Sequence, residues 1–158
     1  MTTAIREQVL AAFETLLGTV TAENVAGTIT VYRGRRAAVP EEMLPALVMR
    51  AAPVSADQAS AAVVRNLERI TVTAVATETT DGDLDKALTD LWAALLRAVE
   101  ADPTLGGLAV DTTLAKADPD AADDGGLAGE AVGGVGDIAT AFIVEYWTRP
   151  GDPYALAP

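Results

Sequence analysis

The sequence predicts an α+β fold, in which a mixed, mainly antiparallel sheet of four or five strands packs against two helices. Three observations predict it. Residues 67–77 alternate apolar and polar side chains, the period of a strand with one buried face. Residues 84–99 instead carry leucine, alanine and valine at helical spacing. Residues 137–149 are apolar on both faces of an extended chain, as in a strand covered from two sides.

The length and composition predict a single domain. The chain has 158 residues, of which 50% are hydrophobic. This is enough apolar material for one hydrophobic core, so residues 1–158 are assigned to one domain.

The first helix is predicted near the start of the chain. Residues 3–17 place apolar side chains at i, i+3 and i+4 spacing, with the charged residues largely off that stripe. Thr2 or Thr3 is available as the N-terminal cap, and Gly18 stands where a helix commonly ends.

Two further strands are predicted before the central one. Residues 28–33 form a short strand, and residues 44–51 are nearly all apolar, which suits an inner strand that starts at Pro45. Residues 52–66 are rich in alanine and serine. They fit an extended arm or loop, or a short helix near residues 57–64.

The second helix has clear predicted ends. Asp81 or Asp83 supplies the cap and places negative charge at the positive end of the helix dipole, and Pro103 stops the helix. A strand is predicted over residues 110–117.

Two segments near the C-terminus lack an apolar pattern. Residues 118–136 are acidic, glycine-rich and poor in bulky side chains, which predicts a flexible loop. The tail from Pro150 is rich in proline and is predicted to be turn-like.

The side-chain inventory argues against most enzyme classes. The chain contains no cysteine and no histidine, and its only serines are Ser55 and Ser60. Ser–His and Cys–His catalysis, disulfides and histidine-ligated metal sites are therefore excluded. An enzyme that uses only carboxylates or lysine stays open.

The net charge of −12 is unevenly distributed. Residues 1–79 carry seven basic and eight acidic side chains, whereas residues 80–158 carry four basic and fifteen acidic ones. Such a field repels phosphate, so we expect no bound nucleic acid or anionic lipid. The N-terminus does not read as a signal peptide, and no apolar run reaches the roughly 18 residues of a membrane helix. A soluble, intracellular protein is expected.

One acidic spacing is similar to the start of a calcium loop. Asp81, Asp83 and Asp85 alternate with other residues, but Lys86 stands where an EF-hand needs glycine and Trp92 where it needs an acid. Helix capping explains the acids better, so we predict no metal and no cofactor here.

The flexible loop offers two weaker ligand sites. Residues 129–136 could cradle a phosphate, but they lack the Lys-Ser/Thr of a P-loop and lead into a strand. The loop's aspartates could hold a hard cation, although a solvated charge run explains them better. These aspartates are Asp118, Asp120, Asp123 and Asp124.

The sequence contains one cluster of basic residues, formed by three arginines. Arg33, Arg35 and Arg36 follow Tyr32 and could lie in a surface turn or contact an acidic partner. Trp147, in the last predicted strand, is a candidate for core or interface packing.

The order of these parts resembles the tail terminator family of long-tailed bacteriophages and of phage-derived particles such as gene transfer agents. The resemblance covers residues 5–154. It rests on the turn DPTLGGLA at residues 102–109 and on the strand GDIATAFIVEYWTR at residues 136–149.

The resemblance implies an α/β sandwich whose subunits form a ring of six. The ring caps the tail tube, ends its polymerisation and joins the tail to the head–neck complex. The implied partners are further copies of the chain, the tail tube protein and a connector or stopper protein. DNA would pass through the lumen without specific binding. The implied location is the neck-proximal end of the virion tail, and the host cytoplasm during assembly.

Two alternatives stay open from the sequence. One is a head–tail connector or tail-completion protein, and the other is a small carboxylate-dependent enzyme or acidic binding module. For a ring, we expect one subunit's Arg33, Arg35 and Arg36 to face the acidic loop of the next subunit, with Trp147 also at the interface.

Overall fold

The computed structural model describes residues 2–116 and 134–158, and in them two helices and six strands. A single 3-10 turn, Glu41–Met43, lies between the first two strands. In chain order the elements are α1 (Ile5–Leu17), β1 (Thr30–Arg33), β2 (Ala46–Ser60), β3 (Val63–Thr77), α2 (Asp81–Ala101), β4 (Asp111–Leu114), β5 (Val135–Arg149) and β6 (Asp152–Leu156).

The strands form one mixed sheet in the order β1-β2-β3-β5-β4, with β6 also paired to β5. Among the strands of the described ranges, only β1 and β2 are parallel, and every other pair is antiparallel. The predicted fold class is confirmed, and the alternating stretch at residues 67–77 lies within β3, near the centre of the sheet. The sixth strand is the one that the sequence did not predict.

Strands β2 and β3 form one long hairpin. Their pairing runs from Ala46 opposite Val75 to Ser60 opposite Val63. Residues 52–66 are therefore extended, and the alternative of a short helix near residues 57–64 is wrong. These residues have no apolar stripe that a helix could bury, whereas pairing with β3 satisfies their backbone groups.

The hydrophobic core lies between the two helices and one face of the sheet, which we call the inner face. Leu47 and Met49 of β2 and Ile70 and Val72 of β3 are fully buried in it. Phe13 of α1 packs against a phenylalanine of β5 with ring centroids 5.8 Å apart. The two helices and the inner face of the sheet meet in a single cluster of apolar side chains, as expected for one domain.

Helix α2 approaches β5 closely at Gly136. A Cβ atom placed there would lie 3.0 Å from Cδ2 of Leu84 and 3.1 Å from Cδ1 of Leu88. The absence of a side chain at this position lets the first turns of α2 pack directly on the start of β5.

Both helices begin differently from the prediction. Thr80 caps α2: its hydroxyl accepts from the backbone N–H of Asp83 at 3.2 Å and donates to the Asp83 carboxylate at 2.7 Å. Asp81 and Asp83 lie in the first turn, where they still face the positive end of the dipole. The N-cap of α1 is Ala4, with no side-chain hydrogen bond, because the helix starts too late for Thr2 or Thr3 to cap it.

The C-terminal tail is a strand rather than a series of turns. The chain reverses at Gly151, which has a φ of 74°, and β6 then pairs with the end of β5. The predicted turn-like tail is therefore wrong, because backbone pairing along the free edge of β5 overrides the local proline content. The predicted strand over residues 110–117 is shorter, as β4 spans Asp111–Leu114.

The acidic loop predicted over residues 118–136 lies mostly outside the described residues. Its last two residues belong to β5, which starts at Val135. No helix in the described part of the chain is long and apolar enough to cross a membrane.

Candidate interaction surface

The sheet has a second face, pointing away from both helices, which we call the outer face. Side chains alternate along a strand, so the neighbours of the core residues Leu47, Met49 and Ile70 must point to this side. The cross-strand register places Arg50 beside Thr71 and Arg69 beside an alanine of β2 on the outer face.

Arg50 and Arg69 are close neighbours on this face. Arg50 lies opposite Thr71, two positions from Arg69, and such diagonal pairs have Cα atoms about 7–8 Å apart. Both arginines are half-buried. Neither takes part in an ion pair with any residue of the two described ranges. The outer face therefore presents two positive charges that no described carboxylate neutralises.

The loop after β1 extends this positive surface. Tyr32 lies opposite Val48, and the Arg35 guanidinium stacks 4.8 Å from the centre of its ring. The Arg50 Nε donates to the Arg35 carbonyl at 3.3 Å, which ties the loop to the outer face. Arg36, the next residue, is exposed. We call Arg35, Arg36, Arg50 and Arg69 the arginine face.

Trp147 lies at the other end of the outer face, opposite Arg65. Its indole N–H donates to Glu145 at 2.8 Å, and Glu145 also accepts from Arg65 at 2.8 Å. The hydrogen bond from Arg65 lowers the pKa of Glu145 below its ordinary value. Around this carboxylate lie the half-buried side chains of Leu67 and Ile143. This region combines aromatic, aliphatic and arginine groups, the composition typical of protein interfaces.

Arg33 lies apart from Arg35 and Arg36, the other two arginines of the predicted interface. Its guanidinium binds both carboxylate oxygens of Glu7 in α1, at 2.6 Å each, and lies 3.8 Å from Glu14. The hydrogen bonds from Arg33 lower the pKa of Glu7. Arg33 thus links β1 to α1. Its predicted place in a subunit interface stays a prediction.

The acidic partner that the sequence predicts for these arginines is the loop at residues 118–136. Its four aspartates lie outside the described residues, so the proposed contact between that loop and the arginines stays a prediction. They are Asp118, Asp120, Asp123 and Asp124.

The other acidic group lies on the opposite side of the sheet. Asp81, Asp83 and Asp85 are exposed in the first turns of α2, which packs on the inner face. Within residues 2–116 and 134–158, no group of three or more acidic side chains is placed to hold a metal ion. The acids mark a negatively charged helix end.

Asp137 is an isolated acid at the start of β5. It pairs in register with Val75, and burial raises the pKa of its carboxyl group. It belongs to no ion pair among the described residues. This carboxylate therefore opposes folding slightly when it is charged.

Sequence reasoning missed Arg50 and Arg69. The alternation of residues 67–77 already placed Arg69 on the polar side of its strand. Arg50 closes a nearly continuous apolar run, and its outward direction follows only from its register with β3.

No protein-family model matches this chain. No curated protein matches it either.

Proposed function

We propose that the protein is a structural assembly protein of the tail terminator type, whose copies form a ring that caps a tail tube. The observation that carries the proposal is the outer face. It presents arginines and a Trp147-centred apolar region with both helices on the other side of the sheet. A sheet face of this composition suits contact with another protein better than contact with a small substrate.

The chain's chemistry supports an assembly role over catalysis. It has no histidine or cysteine, and the acids of α2 are exposed rather than gathered in a cleft. The resemblance at residues 102–109 and 136–149 supports the tail terminator type in particular. The partners are then further copies of the chain, the tail tube protein and the connector or stopper of the neck.

The net charge supports a ring through which DNA passes without binding. A subunit charge of −12 repels phosphate at long range. We expect no retardation of duplex DNA in a gel shift, even at low salt. A salt-sensitive micromolar affinity would instead indicate a nucleic-acid-binding protein.

The test of the proposed activity is a tube-elongation assay. Purified protein is added to polymerising tail tube protein, and tube lengths are measured by electron microscopy. A terminator binds one end of the tube and shortens the tubes in proportion to its concentration. A connector of the neighbouring layer would leave tube lengths unchanged. An enzyme or binding module would also fail to attach to tube ends.

A further inference from the structure

We propose that the arginine face of one copy binds the acidic first turns of α2 in a second copy. The proposal rests on the self-assembly proposed above and identifies the two surfaces that meet. The acidic surface in this contact is the start of α2, in place of the acidic loop that the sequence analysis paired with the arginines.

The arginine face is suited to an acidic protein surface. Guanidinium groups bind carboxylates through paired, charge-assisted hydrogen bonds. The guanidinium groups of Arg50 and Arg69 form no ion pair with any carboxylate within the described ranges. Both emerge from rigid strands near the middle of the sheet. The surface is therefore held in place before a partner arrives.

The second copy is the acidic partner that the chain itself supplies. Nucleic acid would have to approach against a net charge of −12. The first turns of α2 instead present Asp81 and Asp85 as exposed carboxylates on a helix end that Thr80 caps. The carboxylate of Asp83 accepts the Thr80 hydroxyl, so it contributes charge and helps to hold that turn.

The positions of the two surfaces suit a head-to-tail assembly. The arginine face lies on the outer side of the sheet, and α2 lies on the inner side. A single subunit therefore cannot join them to each other, whereas successive copies can. Contacts between two different surfaces generate rings if the rotation closes and open chains if it does not.

The local attraction also offsets a general repulsion. Copies of an acidic chain repel one another wherever their acidic surfaces meet. A contact that pairs arginines with aspartates is attractive at short range and is weakened by salt. The contact should therefore set both the orientation and the salt dependence of assembly.

The test is a charge exchange measured by sedimentation velocity on the full chain. Arg50→Glu with Arg69→Glu should raise the dissociation constant of self-association by at least about tenfold, because like charges then face each other. Asp81→Lys with Asp85→Lys should do the same. Combining the four substitutions should recover most of the lost affinity.

A matched control separates local contact from net charge. Arg97→Glu with Arg149→Glu changes the net charge equally, at exposed arginines outside the arginine face. This control should weaken association much less. Arg50→Glu also removes the hydrogen bond from Arg50 to the loop after β1. The pair Arg36→Glu with Arg69→Glu therefore repeats the test with that hydrogen bond left intact. Melting temperatures of every variant verify folding.

The outcomes separate this inference from the proposed function. Rings that survive both arginine pairs, or a charge exchange without recovery, overturn the inference and leave the terminator proposal standing. The wild type could instead form salt-sensitive dimers or open chains whose affinity falls in the paired variants and recovers on charge exchange. That result supports the inference and counts against a ring-forming terminator. Wild-type protein that stays monomeric at millimolar concentration overturns both.

Discussion

A buried carboxylate determines how α1 sits on the sheet. Glu68 lies on the inner face with its side chain only 1% exposed, and Arg6 of α1 donates to both of its oxygens at 2.6 and 2.9 Å. The bond to Glu68 raises the pKa of Arg6. The pair fixes the start of α1 against β3, because separating the two groups would leave Glu68 charged and buried.

Replacing Arg6 tests this ion pair. Arg6→Ala should lower the free energy of unfolding by about 1–3 kcal/mol, since a buried charge loses its hydrogen bonds. Arg33→Ala is the matched control: its contact with Glu7 has the same two-bond geometry, but the Glu7 side chain is 49% exposed. Breaking that pair should cost only about 0–1 kcal/mol. Equal losses in urea unfolding would show that burial of Glu68 does not matter.

Replacing the partly buried Asp137 should increase stability in a pH-dependent way. Burial raises the pKa of Asp137 above its ordinary value of 3.8 in the folded chain. The stability that the neutral carboxyl group contributes below pH 3.8 is therefore lost as the pH rises through the pKa of the folded state. Asp137→Asn should therefore have a higher melting temperature than wild type at pH 7. The melting temperatures of the two proteins should become equal below pH 3.8. A difference that persists unchanged at low pH would mean that the charge is not its cause.

At the scale of elements, the two helices differ in how they begin. Thr80 closes a side-chain cap on α2, and Ala4 provides none on α1. Helix α1 owes its position to the apolar contacts of Val9, Phe13 and Leu17, all fully buried. Its start is defined by packing and by the Arg6–Glu68 pair rather than by a cap.

Cap replacement should reveal this difference. Thr80→Ala should cost about 1 kcal/mol of unfolding free energy, because the Asp83 N–H loses its acceptor. Thr3→Ala, at the residue predicted from sequence to cap α1, should change stability by less than about 0.5 kcal/mol. A large loss of unfolding free energy in Thr3→Ala would show that Thr3 caps α1, as the sequence predicted.

The sequence predicted those elements whose pattern is locally complete. The alternation of residues 67–77 and the helical stripe of α2 needed no distant contact to be recognised. Residues 52–66 were ambiguous because their alanines and serines show neither the apolar spacing of a helix nor the alternation of a strand. Only pairing with β3 makes them a strand. The same holds for β6, whose structure depends on the edge of β5.

The candidate surface was predicted only in part for the same reason. Arg35 and Arg36 are adjacent in sequence, and Arg35 stacks on Tyr32 of the outer face. Arg50 joins them through the β2–β3 register, whereas Arg33 turns to α1 because Glu7 lies within reach. Register and helix placement are long-range properties that a local charge pattern does not contain.

At the scale of the whole molecule, the sheet divides two kinds of surface. The inner side carries both helices and the acidic start of α2, and the outer side carries the arginine face and Trp147. A subunit with opposite charges on its two sides fits repeated head-to-tail contact better than a two-fold dimer, in which one patch meets its own copy.

The most direct measurement of the central claim is negative-stain electron microscopy of the purified full chain, with particle mass measured at the same concentrations. The account predicts closed rings of six copies that lose subunits as salt is raised. A single species of monomer mass up to millimolar concentration would contradict it, as would isologous dimers with no ring in any image.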